Sequence, residues 1–152
     1  MSRLKYLLIG AGIIGLILAL VVFQRRGMVA SLPPSVLCSG KAEAKQLAGP
    51  DAIDVLGTGS MYPYIKKAPQ GADPMKTVVA YVVAGPKKYA DIQKGDLVVY
   101  YADWAHGCVM HQAAQKDKDG WIMTGLNNAQ SESFTRVTPE TFKCVISVTY
   151  TW

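Results

Sequence analysis

Residues 56–65, Leu-Gly-Thr-Gly-Ser-Met-Tyr-Pro-Tyr-Ile, end an apolar run, Ala52-Ile53-Asp54-Val55-Leu56, that reads as a strand. Gly57 and Gly59 remove side chains that would block an approaching backbone and permit the sharp bends that expose a hydroxyl at a strand end. Pro63 stops the strand from pairing further. This is how a chain offers Ser60 as a nucleophile. Glycine and serine are also ordinary turn residues, and on this stretch alone the turn is the simpler reading.

From residue 52 onward the chain is a series of short β-type runs with turn signals between them: 52–56, 77–84, 97–101, 108–114, 121–124 and 144–150. That texture predicts a small, mostly-β domain over 52–152. Asp119-Gly120 predicts a hairpin turn ahead of the run at 121–124. The 152 residues amount to one domain, and 50% hydrophobic against 18% charged residues argues against disorder.

Residues 6–23 contain 18 residues without a charge or a proline. As a helix of about 27 Å they match a bilayer core of about 30 Å. Gln24-Arg25-Arg26 follows at once with no small-residue cleavage site, which predicts an uncleaved anchor over 1–26 rather than a signal peptide. Arg3 and Lys5 before the span balance Arg25 and Arg26 after it, so the positive-inside rule barely votes on orientation. Ala11, Gly15 and Ala19 form a small-residue stripe that could pack against a partner helix in the membrane, although such residues are common in membrane helices. Residues 27–51 read as a tether, with Pro33-Pro34 extended, Gly49-Pro50 a breaker and a short helix over 41–48.

The formal charge of +5 suggests an anionic partner, but four of the 16 Lys and Arg flank the apolar segment, and the remaining 12 face all 11 acidic residues. The part after residue 26 is nearly neutral, which excludes a nucleic-acid footprint. No ligand pair has metal-site spacing, and no cofactor is called for.

The other polar features each have a plain reading. Gly95-Asp96 enters the run at 97–101 as a turn. His111 interrupts an apolar strand, where a histidine is most often a satisfied core residue. Gly125-Leu126-Asn127-Asn128, followed by Ser131-Glu132-Ser133, reads as a turn held by side-chain bonds to backbone. His106 reads as a surface histidine and secondarily as an alternative base. Lys116 and Lys118 are solvated lysines beside the hairpin, although a Ser-Lys dyad could use one of them. Asp117, Asp119 and Glu140 are turn residues.

In order along the chain, Ser60-Met-x-Pro63, Gly95-Asp96-Leu-Val-Val-Tyr100, Val109-x-His111 and Thr124-Gly-x-Asn127-Asn128 resemble the type I signal peptidases. The likeness is to the branch of the endoplasmic reticulum, archaea and some Gram-positive bacteria, in which a histidine replaces the lysine base. It covers the anchor and nearly all of 52–150. The resemblance implies the β-rich signal-peptidase fold, shared with SOS-repressor-type proteases, behind one transmembrane helix. It also implies Ser60 as nucleophile, His111 as general base and Glu132, seven residues after Gly125, as the acid. Thr58 and the Ser60 N–H would form the oxyanion hole, and Gly95, Asp96, Asn127 and Asn128 would support the site.

The chemistry is coherent in its own terms. A serine hydroxyl needs a base, an imidazole with an ordinary pKa of about 6.5 suits near-neutral pH, and a carboxylate on the other ring nitrogen fixes the tautomer. Two departures stand out: Leu126 occupies the place of a family aspartate that supports the site, and Gln112 that of an arginine. Tyr62 and Tyr64 suit either the membrane surface or the core.

Three cysteines, 38, 108 and 144, form no metal pattern. An exported domain could pair Cys108 with Cys144, and small buried thiols are the alternative. The expectation is a membrane-bound serine endopeptidase whose domain faces away from the cytoplasm and cuts signal peptides or similar membrane-proximal segments of preproteins after small residues. A catalytically impaired assembly protein on the same fold is the alternative. A third reading is self-processing after Ala42-Glu43-Ala44, giving a chain that starts at Lys45.

Overall fold

The structure, a computed structural model, describes residues 32–152. The anchor expected over 6–23, with its orientation and small-residue stripe, lies outside the described residues. Among the described residues no helix is long and apolar enough to cross a membrane.

The elements run β1 (Ser35–Leu37), α1 (Lys41–Ala48), β2 (Ile53–Leu56), β3 (Val78–Ala84), β4 (Leu97–Ala102), β5 (Gly107–Asp117), β6 (Gly120–Thr124) and β7 (Phe142–Thr151). The expected mostly-β architecture is present, and every predicted run is a strand. Among the described residues the sheet has seven strands: six in the order β2-β3-β7-β4-β5-β6, with antiparallel neighbours, and β1, which lies parallel to β7. The long strand β7 joins the two halves. Its residues 146–151 pair with β3 and its residues 142–145 pair with β4.

Alternation along β4 sends side chains to two cores. Val98, Tyr100 and Ala102 pack with Ala113, Trp121, Met123 and Val137. Leu97 and Val99 pack on the other face with Val82, Ile146 and, from the serine turn, Met61 and Ile65. Each large aliphatic side chain fully buried this way contributes about 1.5–3 kcal/mol.

Residues 32–48, read from sequence as part of a tether, belong to the folded unit. Strand β1 adds to the edge of β7, and α1 buries Ala44 and Ala48 with Cys38 against Tyr81. Small residues on one face of α1 let the helix lie close to the sheet. Ala44, the last residue of the Ala42-Glu43-Ala44 sequence, is buried within α1, while Ala42 and Glu43 are exposed.

The hairpin between β5 and β6 closes on the pair Asp117 and Gly120, so its loop is Lys118-Asp119, one residue earlier than predicted. Asp117 accepts from the Asp119 N–H at 2.9 Å and from Arg136 Nε at 2.8 Å.

Cys108 and Cys144 are free thiols, which corrects the expected disulfide. Cys108 pairs with Tyr101 on one side of β4 and Cys144 with Val99 on the other. With a strand between them their Cα atoms stand about two strand spacings apart, roughly 9–10 Å, beyond the roughly 7 Å that a disulfide spans.

Candidate active site

The serine turn is built by close approach. Gly57 packs where a Cβ would lie 2.5 Å from the Ala68 nitrogen, and Gly59 turns at φ 88°. The need for glycine at 57 comes from the chain's own return at Ala68, whose N–H donates to the Gly57 carbonyl at 2.9 Å. Beyond Ser60, Met61 and Ile65 anchor the turn in the core. The Tyr64 hydroxyl lies 2.8 Å from the Pro33 carbonyl, to which it donates, and 2.8 Å from Thr149 Oγ1. Tyr64 is therefore a packing residue, while Tyr62 stays exposed.

Ser60, half-buried, opens on a cavity of about 500 Å³ that is also lined by Thr58, His111 and Asn128. The walls are mostly apolar: Val55, Ile65, Val82, Val99 and Met110, with Trp104 at the rim. Two strand edges border it. β2 is terminal in the sheet order, and β6 pairs with β5 only from Gln112 onward, so Gly107–His111 has β4 as its one strand neighbour among the described residues. Neither the Ser60 N–H nor the Thr58 hydroxyl is bonded to another group among the described residues. Both donors are available to an oxygen in the cavity.

His111 sits on β5 opposite Val98, and Val109 opposite Tyr100, so alternation places the imidazole on the Tyr100 face of the sheet. There Nδ1 meets Glu132 Oε1 in an ion-pair contact, and both side chains are almost fully buried. The Tyr100 hydroxyl donates to Glu132 Oε2 and lies 3.3 Å from His111 Nδ1. Glu132 is held in place by its backbone N–H, which donates to the Met123 carbonyl at 2.8 Å. Burial first, then the hydrogen bond and charge of Glu132, push the Tyr100 phenol far above its usual range.

The serine turn packs on the opposite face, through Met61 and Ile65 against Val99. His111 lines the cavity together with Cys108, Val109 and Met110, on a stretch of β5 that has no second strand neighbour among the described residues. Among the described residues no hydrogen bond joins the Ser60 hydroxyl to the imidazole.

The supporting residues divide. Asp96 is buried, accepts from Lys87 Nζ at 2.8 and 2.9 Å and from the Gln93 N–H at 2.9 Å, and takes no part in the cavity. Gly95 donates to the Ala113 carbonyl at 2.7 Å and accepts from Gln112 Nε2 at 2.9 Å. Lys87 is thus the cation at Asp96, and Gln112 braces the same turn through Gly95. Asn127 donates its N–H to the Ser60 carbonyl at 2.9 Å, and Asn128 closes its own turn onto Gly125. Leu126 packs into the core on the serine side, so an apolar contact stands where a carboxylate was expected from the resemblance.

The remaining candidates lie apart. His106 is exposed in a turn at φ 50°. Lys116 lies over the Tyr89 and Trp121 rings, Lys118 is in the hairpin loop, and neither lines the cavity. Glu140 accepts from Thr138 at 2.5 Å, as a turn residue does. Among the described residues no cluster of His, Cys, Asp and Glu has the makings of a metal site. Sequence reading missed Tyr100 and Lys87. Comparison with protein-family models, curated proteins and solved structures finds no match for this chain.

Proposed function

We propose that this is a membrane-anchored serine endopeptidase of the signal-peptidase type. Ser60 is its nucleophile, His111 its general base and Glu132 the acid behind the base. The observation that carries the reading is the buried Glu132–His111 Nδ1 pair, beside a cavity that also exposes Ser60 and Thr58. A carboxylate on Nδ1 leaves Nε2 as the base, which is the arrangement acyl transfer from a peptide bond to water requires. The Ser60 N–H and Thr58 hydroxyl are the donors for the developing oxyanion. The two strand edges, unpaired among the described residues, suit an extended peptide laid along the cavity by main-chain hydrogen bonds. By the resemblance, the substrates are signal peptides or similar membrane-proximal segments with small residues before the cut, met on the non-cytoplasmic side with residues 6–23 as the anchor.

A second reading has a specific observation in its favour. The Ser60 hydroxyl makes no bond to the imidazole, and Leu126 replaces a supporting carboxylate with an apolar contact. A domain that keeps the fold without the chemistry would serve as a membrane-anchored assembly protein. Incubating the full-length chain with a reporter preprotein separates the two. Cleavage by the parent, lost in Ser60→Ala and His111→Ala with both variants folded, is the expected result. Equal cleavage by Ser60→Ala would end the serine mechanism, and no cleavage by the parent would favour the assembly role.

A further inference from the structure

One buried polar group at the centre has no part in the scheme above. Tyr100, on β4, is 1% exposed; its hydroxyl touches both Glu132 and His111. We propose that Tyr100 is a positioning residue that clamps the Glu132 carboxylate and so holds His111 in the tautomer that leaves Nε2 as the base. The inference rests on the serine endopeptidase reading.

The hydrogens available to this trio fix the tautomer. The acid of a serine triad works as a carboxylate, which only accepts, so in that role Glu132 takes the phenol's proton at Oε2. Having given its single hydrogen to Glu132, the Tyr100 oxygen presents only lone pairs to Nδ1, 3.3 Å away. Nδ1 then faces two acceptors, Glu132 Oε1 and the Tyr100 oxygen, and must carry the ring hydrogen. A neutral imidazole has one N–H, so Nε2 is bare.

The clamp also answers the length of the acid. A glutamate has one more torsion than an aspartate and more rotamer freedom to lose. Fastening one oxygen to β4 and the other to β5 removes that freedom. Among the described residues the side-chain partners of Glu132 are Tyr100 and His111; Arg136, four residues on, is taken by Asp117 and by the Ser133 and Thr135 carbonyls. Without the phenol, Oε2 would be buried with no donor, and the carboxylate would be free to turn away from the ring.

The test uses the full-length chain with nitrogen-15 histidine, in the parent and in Tyr100→Phe, beside cleavage of the reporter preprotein. His106, exposed, supplies the reference resonances. The parent is expected to show His111 protonated at Nδ1 and bare at Nε2. Tyr100→Phe is expected to show mixed tautomers, with kcat down about tenfold to a hundredfold and KM little changed, as for the loss of one hydrogen bond to a charged group. Unchanged spectra or an unchanged kcat in folded Tyr100→Phe would overturn the proposal. A proton on Nε2 in the parent would do so as well, and that measurement needs no variant should Tyr100→Phe fail to fold. If the parent cleaves nothing, the endopeptidase reading fails, while the tautomer comparison still decides whether Tyr100 acts as the clamp.

Discussion

The backbone N–H of Asn127 donates to the carbonyl of Ser60 at 2.9 Å, which makes the serine turn and the turn after β6 one bonded unit. Gly125 permits that contact: a Cβ there would lie 2.8 Å from the Ser60 oxygen and 2.6 Å from Asn128 Nδ2. Gly125→Ala is therefore expected to push the serine turn outward, destabilising the fold by about 1–3 kcal/mol. A displacement of about 1 Å at a nucleophile costs on the order of 10²-fold in rate, so cleavage should fall further than stability alone explains. Urea unfolding and reporter cleavage on the same preparation check both parts. Full activity in Gly125→Ala would mean that the two turns move independently.

Glu132→Gln keeps the size of the acid and removes its charge. An amide can donate to Nδ1 and so favours the wrong tautomer. If the endopeptidase reading is right, kcat should fall on the order of 10⁴-fold, as for loss of the acid in serine triads generally, with the circular dichroism unchanged. A loss of less than about tenfold would remove Glu132 from the mechanism.

How much of this was legible beforehand follows from the physics of each part. The strands could be read because β-branched and aromatic runs between turn residues reflect local chemistry, from Val78–Ala84 to Phe142–Thr151. Residues 35–37 could not, since their pairing with Ser-Val-Leu's partner strand, β7, spans more than a hundred positions and leaves no local trace. The meeting of His111 with Glu132 followed from motif order rather than from pattern. Tyr100 was hidden for a different reason: in Leu-Val-Val-Tyr-Tyr it looks like any core aromatic until β4 and β5 are in register and Val98 lies opposite His111. Lys87 was likewise an ordinary surface lysine until the chain folded it back onto Asp96.

Asp96 supplies a contrast between support and catalysis. It is buried, it accepts two contacts from Lys87 and one from the Gln93 N–H, and it lies outside the cavity. Asp96→Ala strands the Gln93 donor and the lysine, and should destabilise by about 1.5–3 kcal/mol, the range for hydrogen bonds to a charged group. Lys87→Met should cost less, because the lysine is partly exposed and its charge is screened. Below its lowered melting temperature Asp96→Ala should retain the parent's kcat. Thermal unfolding paired with single-turnover cleavage measures both, and a large kcat loss in folded Asp96→Ala would place Asp96 in the mechanism.

Alkaline pH should unfold the domain through groups whose folded pKa is raised. Burial raises Cys144, and burial with the Glu132 contact raises Tyr100. Below the ordinary tyrosine value of about 10, folded and unfolded chains both hold the phenol proton, and the contribution is fully present. Above it the unfolded chain releases the proton while buried Tyr100 keeps it. Stability then falls with pH by about 1.4 kcal/mol per unit for each such group. Cys144 starts the decline about a unit earlier, and Tyr64, raised by burial, adds to the steeper part. In urea titrations from about pH 8 to about pH 11 under reducing conditions, Tyr100→Phe should lose the slope of about one proton above pH 10. Parallel slopes for the two proteins would mean that Tyr100 ionises as freely folded as unfolded, which its burial against a carboxylate does not allow.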